Sequence, residues 1–156
     1  MITARRRKRL RKRLDANSTA AKRLSSAVFY LDESIYSRRL ADAMREAGAQ
    51  VVTPYEGGLA GTTDESWLAH IGSRRWLALM RDQNIKRRAL ERRALVSAKV
   101  GAFVCTTGEA TADEVTAVVL KLIKKMTNIG VSEPRPFLYT FGLSGLLRQI
   151  PRRELA

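Results

Sequence analysis

Five short runs punctuate this chain, apolar at residues 27–31, 76–80 and 102–105 and mixed at 50–53 and 136–141. Runs this short, apolar without polar alternation, suit strands buried on both faces of a parallel sheet. Helical spacing fills the intervals. Over residues 35–47, Ile35, Leu40, Ala43, Met44 and Ala47 share a face, and Gly48 sits where a helix stop belongs. Thr62 followed by Glu65 resembles a capping box and predicts a helix over 64–71 that buries Trp67, Leu68 and Ile71. A helix over 87–99 turns Leu90, Ala94, Leu95 and Ala98 inward. The clearest helix spans 111–126, with Thr111 as N-cap, Glu114 as its reciprocal partner and Val115, Val118, Val119, Leu122, Ile123 and Met126 inward. Strand and helix in alternation predict an α/β fold with a mostly parallel sheet of four to five strands. Pro136 places the last strand at an edge.

Charge divides the chain differently. Residues 1–24 hold ten Lys or Arg and one acid, a net +9, while the other 132 residues carry +5 of the total +14. The expected organisation is therefore a basic, flexible arm (1–24), a domain (25–141) and a C-terminal tail (142–156). The arm fits contact with a polyanion such as nucleic acid. A solvated tail, an extension from an upstream start codon and use at a membrane surface fit it too. It lacks the apolar core of a secretory signal. No apolar run approaches the ~18 residues of a membrane span, so no membrane association by a spanning helix and a cytoplasmic location are expected. The single cysteine, Cys105, excludes an intrachain disulfide framework and a Cys-based zinc site, and the single histidine, His70, excludes a His-rich metal site. A metal here would be held by carboxylates and be hard: Mg²⁺, Mn²⁺ or Ca²⁺.

In open α/β sheets the functional crevice lies at the carboxyl ends of the strands. Asp32 follows the first run, Asp82 follows the third, and Asp64 opens the helix that leads into the third. Glu33, Glu65 and Glu91 are nearby candidates. Carboxylates gathered in one place repel unless a cation joins them, and a divalent metal so held lowers the pKa of a bound water and stabilises charge on a phosphodiester. An acid cluster with a basic periphery suggests a metal-dependent nuclease. The rival reading makes each aspartate a turn former or helix cap.

The order Phe-Tyr-Leu-Asp32-Glu33-Ser-Ile, a helix ending at Ala-Gly48, a strand, Thr-Asp64-Glu65-Ser-Trp-Leu and Trp-Leu-Ala-Leu-Met-Arg-Asp82 resembles the PIN-domain ribonucleases, and among them the compact VapC-type toxins. Ala-Leu-Glu91, Ala-Phe-Val-Cys105 and Pro136-Phe-Leu-Tyr139 continue the likeness, which spans about residues 28–141. The resemblance implies a three-layer α/β/α fold and a Mg²⁺- or Mn²⁺-dependent endoribonuclease, the toxin of a type II toxin–antitoxin pair. Its partners would be RNA, a cognate antitoxin and a second copy of the chain in a homodimer. It implies Asp32, Asp64 and Asp82 as catalytic metal ligands, with Glu33 and Asn84 as further ligands. Arg81, Lys86, Arg87 and Arg88 would be the RNA contacts. The sequence departs from the pattern at Asn84, where many members have a further Asp, and at Met80, where a hydroxyl residue is common. Those departures keep a second reading open: a non-catalytic PIN-like module that binds nucleic acid or protein. His70 reads as a surface or capping residue, Cys105 as a small buried hydrophobe, and Trp67 and Trp76 as core. Arg87, Arg88, Arg92 and Arg93 form a basic helix face.

Overall fold

The computed structural model describes residues 3–85 and 88–155. Its elements follow the order α1 (Ala4–Leu24), β1 (Val28–Leu31), α2 (Arg38–Glu46), β2 (Gln50–Val52), α3 (Asp64–Ser73), β3 (Leu77–Arg81), α4 (Ala89–Ser97), β4 (Gly101–Cys105), α5 (Ala112–Ser132), β5 (Phe137–Phe141) and β6 (Arg148–Ile150), closed by a 3-10 turn at Arg152–Glu154. The six strands form one sheet in the order β2-β1-β3-β4-β5-β6. All neighbours are parallel except β6, which runs antiparallel to β5.

Side chains alternate across a strand, and here the alternation sorts the core into two layers. Phe29, Leu31, Leu77, Leu79, Phe103, Cys105, Phe137 and Tyr139 face one side, packed with Leu40 and Met44 of α2, Leu24 of α1 and the Val115–Met126 stripe of α5. Tyr30, Ala78, Met80, Ala102, Val104 and Leu138 face the other, beneath Trp67, Leu68 and Ile71 of α3 and Leu95 of α4. The expected three layers are present. Each large apolar side chain so buried contributes roughly 1.5–3 kcal/mol.

Several local expectations change. The cap of α3 is Thr63, whose hydroxyl accepts from Ser66 N; Thr62 turns away and donates to the Leu59 carbonyl. Helix α2 starts at Arg38 behind an N-cap on Ser37 rather than at Ile35, because residues 32–36 are already committed to a turn on Asp32. Leu90 is 78% exposed, not inward. β5 is not an edge, since β6 pairs outside it. Pro136 precedes the strand and so removes no ladder bond. Within the basic arm expected over residues 1–24, residues 4–24 form α1. The capping box on Thr111 and Glu114 is present as expected. Among the described residues no helix is long and apolar enough to cross a membrane.

One glycine fixes how closely α3 lies to the end of α4. A Cβ on Gly72 would stand 2.3 Å from the Ala98 carbonyl oxygen, a backbone atom with little room to move. Gly72→Ala is therefore expected to cost about 1–3 kcal/mol despite alanine's better helix propensity. A fall of a few degrees or more in Tm would show it, and an unchanged or raised Tm would contradict this packing.

Candidate active site

The strand order reverses direction between β1 and β3: β2 lies on one side of β1, and β3 to β6 extend from the other. At such a switch point the loops after neighbouring strands part and leave a crevice at their carboxyl ends. Asp32 and Asp82 occupy those two ends. Their backbones are held by the extended ladder, Asp32 N donating to Leu79 O at 3.0 Å and Asp82 N to Cys105 O at 2.9 Å.

Both aspartates also form the turn that ends their strand. Asp32 Oδ2 accepts from Ser34 N at 3.2 Å and from the Ser34 hydroxyl at 2.5 Å. Asp82 Oδ1 accepts from Asn84 N at 2.8 Å. The turn-forming role and a ligand role are thus compatible, since a carboxylate has more lone pairs than one turn uses. Ser34 links the two ends: its hydroxyl also accepts from Arg81 N at 3.0 Å.

Asp64, in the first turn of α3, is held by a bond from the Trp67 indole to its Oδ1 at 2.9 Å. It lies on the same edge as Asp82. The residue that joins them is Glu91 of α4, whose carboxyl lies close enough to both carboxylates for each to raise it. Burial, above all, pushes the Glu91 carboxyl up to about 7; Asp82 and Asp64 push it the same way, and the bond from Arg88 pulls against them. Arg88 spans the group, its Nε 3.5 Å from Asp82 Oδ2 and its Nη1 3.0 Å from Glu91 Oε1. The Asp82 side chain is only 8% exposed.

The structure thus brings Asp64, Asp82 and Glu91 together and ties Asp32 to the neighbouring strand end through Ser34. Glu33 is engaged elsewhere, accepting from Gly61 N in the glycine-rich loop. Asn84 contributes its backbone N–H to Asp82, and lines a cavity of about 360 Å³ with Ser34, Arg81, Asp82 and Arg88. Arg81 spends its guanidinium on the carbonyls of Thr107, Gly108 and Ala110, fixing the loop that leads to α5. Lys86 and Arg87 lie outside the described residues. Tyr30 is pushed above its usual range by burial and then by the Asp32 and Glu33 carboxylates. Its ring lies 5.4 Å from that of Trp67.

Whether these residues suit a cation is tested by one atom. Glu91 Oε2 is buried and finds no hydrogen-bond donor. It is an acceptor among acceptors, which a proton or a cation would satisfy, and an all-oxygen donor set matches a hard divalent ion. Among the described residues, no three acidic, His or Cys side chains already stand at metal-ligand spacing; the guanidinium of Arg88 lies between two of the carboxylates.

The PIN-like domain family model matches residues 27–107, which hold Asp32, Asp64, Asp82 and Glu91. The chain belongs to the PIN-like domain family. A Mycobacterium tuberculosis (strain ATCC 25618 / H37Rv) protein named "Putative ribonuclease VapC45" is 24% identical over 123 residues, covering 76% of this chain and 88% of the relative. No solved structure matches. The resemblance read in the sequence is the one the family model finds.

Proposed function

We propose that this PIN-like protein is a ribonuclease that cleaves RNA phosphodiesters with a divalent cation, Mg²⁺ or Mn²⁺, and that it acts in the cytoplasm as the toxin of a toxin–antitoxin pair. The observation that carries the reading is the gathering of Asp64, Asp82 and Glu91 at the carboxyl edge of β3, with Asp32 on the adjacent strand end. The name of the mycobacterial relative supports the ribonuclease assignment and the toxin class. An antitoxin protein and a second copy of the chain are the protein partners proposed with it.

Asp32, Asp64 and Asp82 would hold the cation, and Glu91 would join them in its ionised form. When bound, such a cation stabilises negative charge on the phosphodiester and makes a bound water more acidic. The protein's own residues set the geometry. Trp67 orients Asp64, Ser34 orients Asp32, and the Asn84 N–H fixes one oxygen of Asp82. Arg88, half exposed, is placed to move from the carboxylates to a phosphate. Arg81 holds the 107–110 loop beside them.

The test is cleavage of a labelled RNA with Mn²⁺ or Mg²⁺ and with excess EDTA, alongside calorimetric titration of Mn²⁺ into the protein. Cleavage that needs the cation, with one strong binding event, is the expected result. Cleavage that persists in EDTA would overturn the metal-dependent reading. RNA binding without cleavage would favour the non-catalytic module, which the neutral Asn84 and the Arg88 bridge suit.

A further inference from the structure

Helix α1 carries its charge against its own stability. Eight of the ten residues from Ala4 to Arg13 are Lys or Arg, and none is acidic. Arg5 and Arg9, Arg7 and Arg11, Lys8 and Lys12, and Arg9 and Arg13 are like-charged pairs four residues apart, each unfavourable on a helix surface. The cluster also sits at the N-terminal end, where the helix dipole favours anions. Residues 3–13 are exposed throughout, and no basic side chain from Arg5 to Arg13 pairs with a described acidic side chain. At the other end Leu24 is buried in the core and α1 lies against α5, so the helix is anchored at its C-terminus. An anionic partner would reverse the sign of both penalties.

The shape of the charge selects the partner. Successive residues turn by about 100° around a helix, so these eight cations surround it instead of forming one stripe. Ala4 and Leu10 are the only apolar residues of the segment, and Leu10 is 54% exposed. A membrane-surface helix needs a continuous apolar face, which is absent from this segment. Ten residues of helix span about 15 Å, a length over which a nucleic-acid duplex presents about nine phosphate charges. Eight cations nearly match that density.

We infer that α1 is a sequence-independent RNA-binding helix that holds the phosphate backbone of the substrate. The choice of RNA over other nucleic acid rests on the ribonuclease reading; the binding itself does not require cleavage. The experiment therefore uses the full chain in EDTA. Fluorescence anisotropy with a labelled RNA hairpin compares wild type with the quadruple variant Arg5→Gln, Arg6→Gln, Arg7→Gln, Arg9→Gln from about 50 to about 200 mM salt. All four side chains are exposed, so the near-UV circular dichroism should be unchanged. The expected result is an affinity lower by about tenfold or more at the lowest salt. The log–log salt slope should shrink by about 3, since each phosphate that is no longer neutralised removes roughly 0.7–0.9 from it. Equal affinities and slopes would overturn the proposal. So would tighter binding to phosphatidylserine-containing vesicles than to RNA, which would assign the helix to a membrane surface. A protein that never cleaves RNA but shows the slope difference would remove the ribonuclease reading and leave this one standing.

Discussion

Asp82→Asn is expected to lower kcat/KM for RNA cleavage by at least about 100-fold, which corresponds to ~3 kcal/mol of transition-state stabilisation. The substitution changes charge at nearly constant volume. Its amide oxygen still accepts from Asn84 N, so the turn that ends β3 survives. What it removes is the carboxylate that Arg88 and Glu91 both address at the edge of the crevice. Like charges in one site destabilise it, so the variant should melt no lower than wild type in metal-free buffer. Its Mn²⁺ affinity, read by calorimetry, should fall with the activity. Asn84→Ala is the contrasting case: its backbone N–H remains, and removing its side chain should cost little. Cleavage by Asp82→Asn within a few fold of wild type would refute the site.

The parts of this molecule that were legible in the sequence are those fixed by one strong local signal. The apolar runs before Asp32 and Asp82 could be placed as strands, and the aspartates at their carboxyl ends, because short runs without polar alternation suit a doubly buried sheet. The reciprocal pair of Thr111 and Glu114 marked the start of α5 unambiguously. Legibility failed where neighbours compete or where the signal comes from elsewhere in the fold. Thr62, Thr63 and Asp64 are all acceptable caps, and only the path of the glycine loop, with Thr62 bonded to Leu59 O, makes Thr63 the cap. Leu90 has helical spacing with Ala94 but sits in the first turn of α4, where the groove beside α3 stays open. β6 has three residues, two of them exposed, and no pattern of its own; pairing with β5 creates it. The same holds for the site. Asp64 and Asp82 could be named from position, and Glu91 was visible as a nearby acid. Its central place depends on the packing of α3 on α4 through Gly72, a contact between residues far apart in the chain.

That central place has a measurable consequence in the metal-free protein. The Glu91 carboxyl is raised from an ordinary 4.5 to about 7, by burial first and by its acidic neighbours next. A group that binds its proton more tightly when folded contributes most below its unfolded pKa, and the contribution is lost as pH rises through the folded value. Wild-type stability in EDTA should therefore fall between about pH 4.5 and 7 and level off above. Glu91→Gln keeps the shape and the bond to Arg88 becomes one to a neutral amide, but no proton is needed. The variant should be more stable than wild type above pH 7 by about 1–2 kcal/mol, less than the full shift implies because the side chain is partly wetted at 18% exposure. A divalent cation should reverse the order: Mn²⁺ favours the ionised carboxylate, so wild type gains more Tm from it than Glu91→Gln does. Thermal melts of both proteins across about pH 5 to 8, with EDTA and with Mn²⁺, separate these effects. Parallel pH profiles in EDTA would show that Glu91 holds no special proton, and equal Mn²⁺ shifts would remove it from the ligand set.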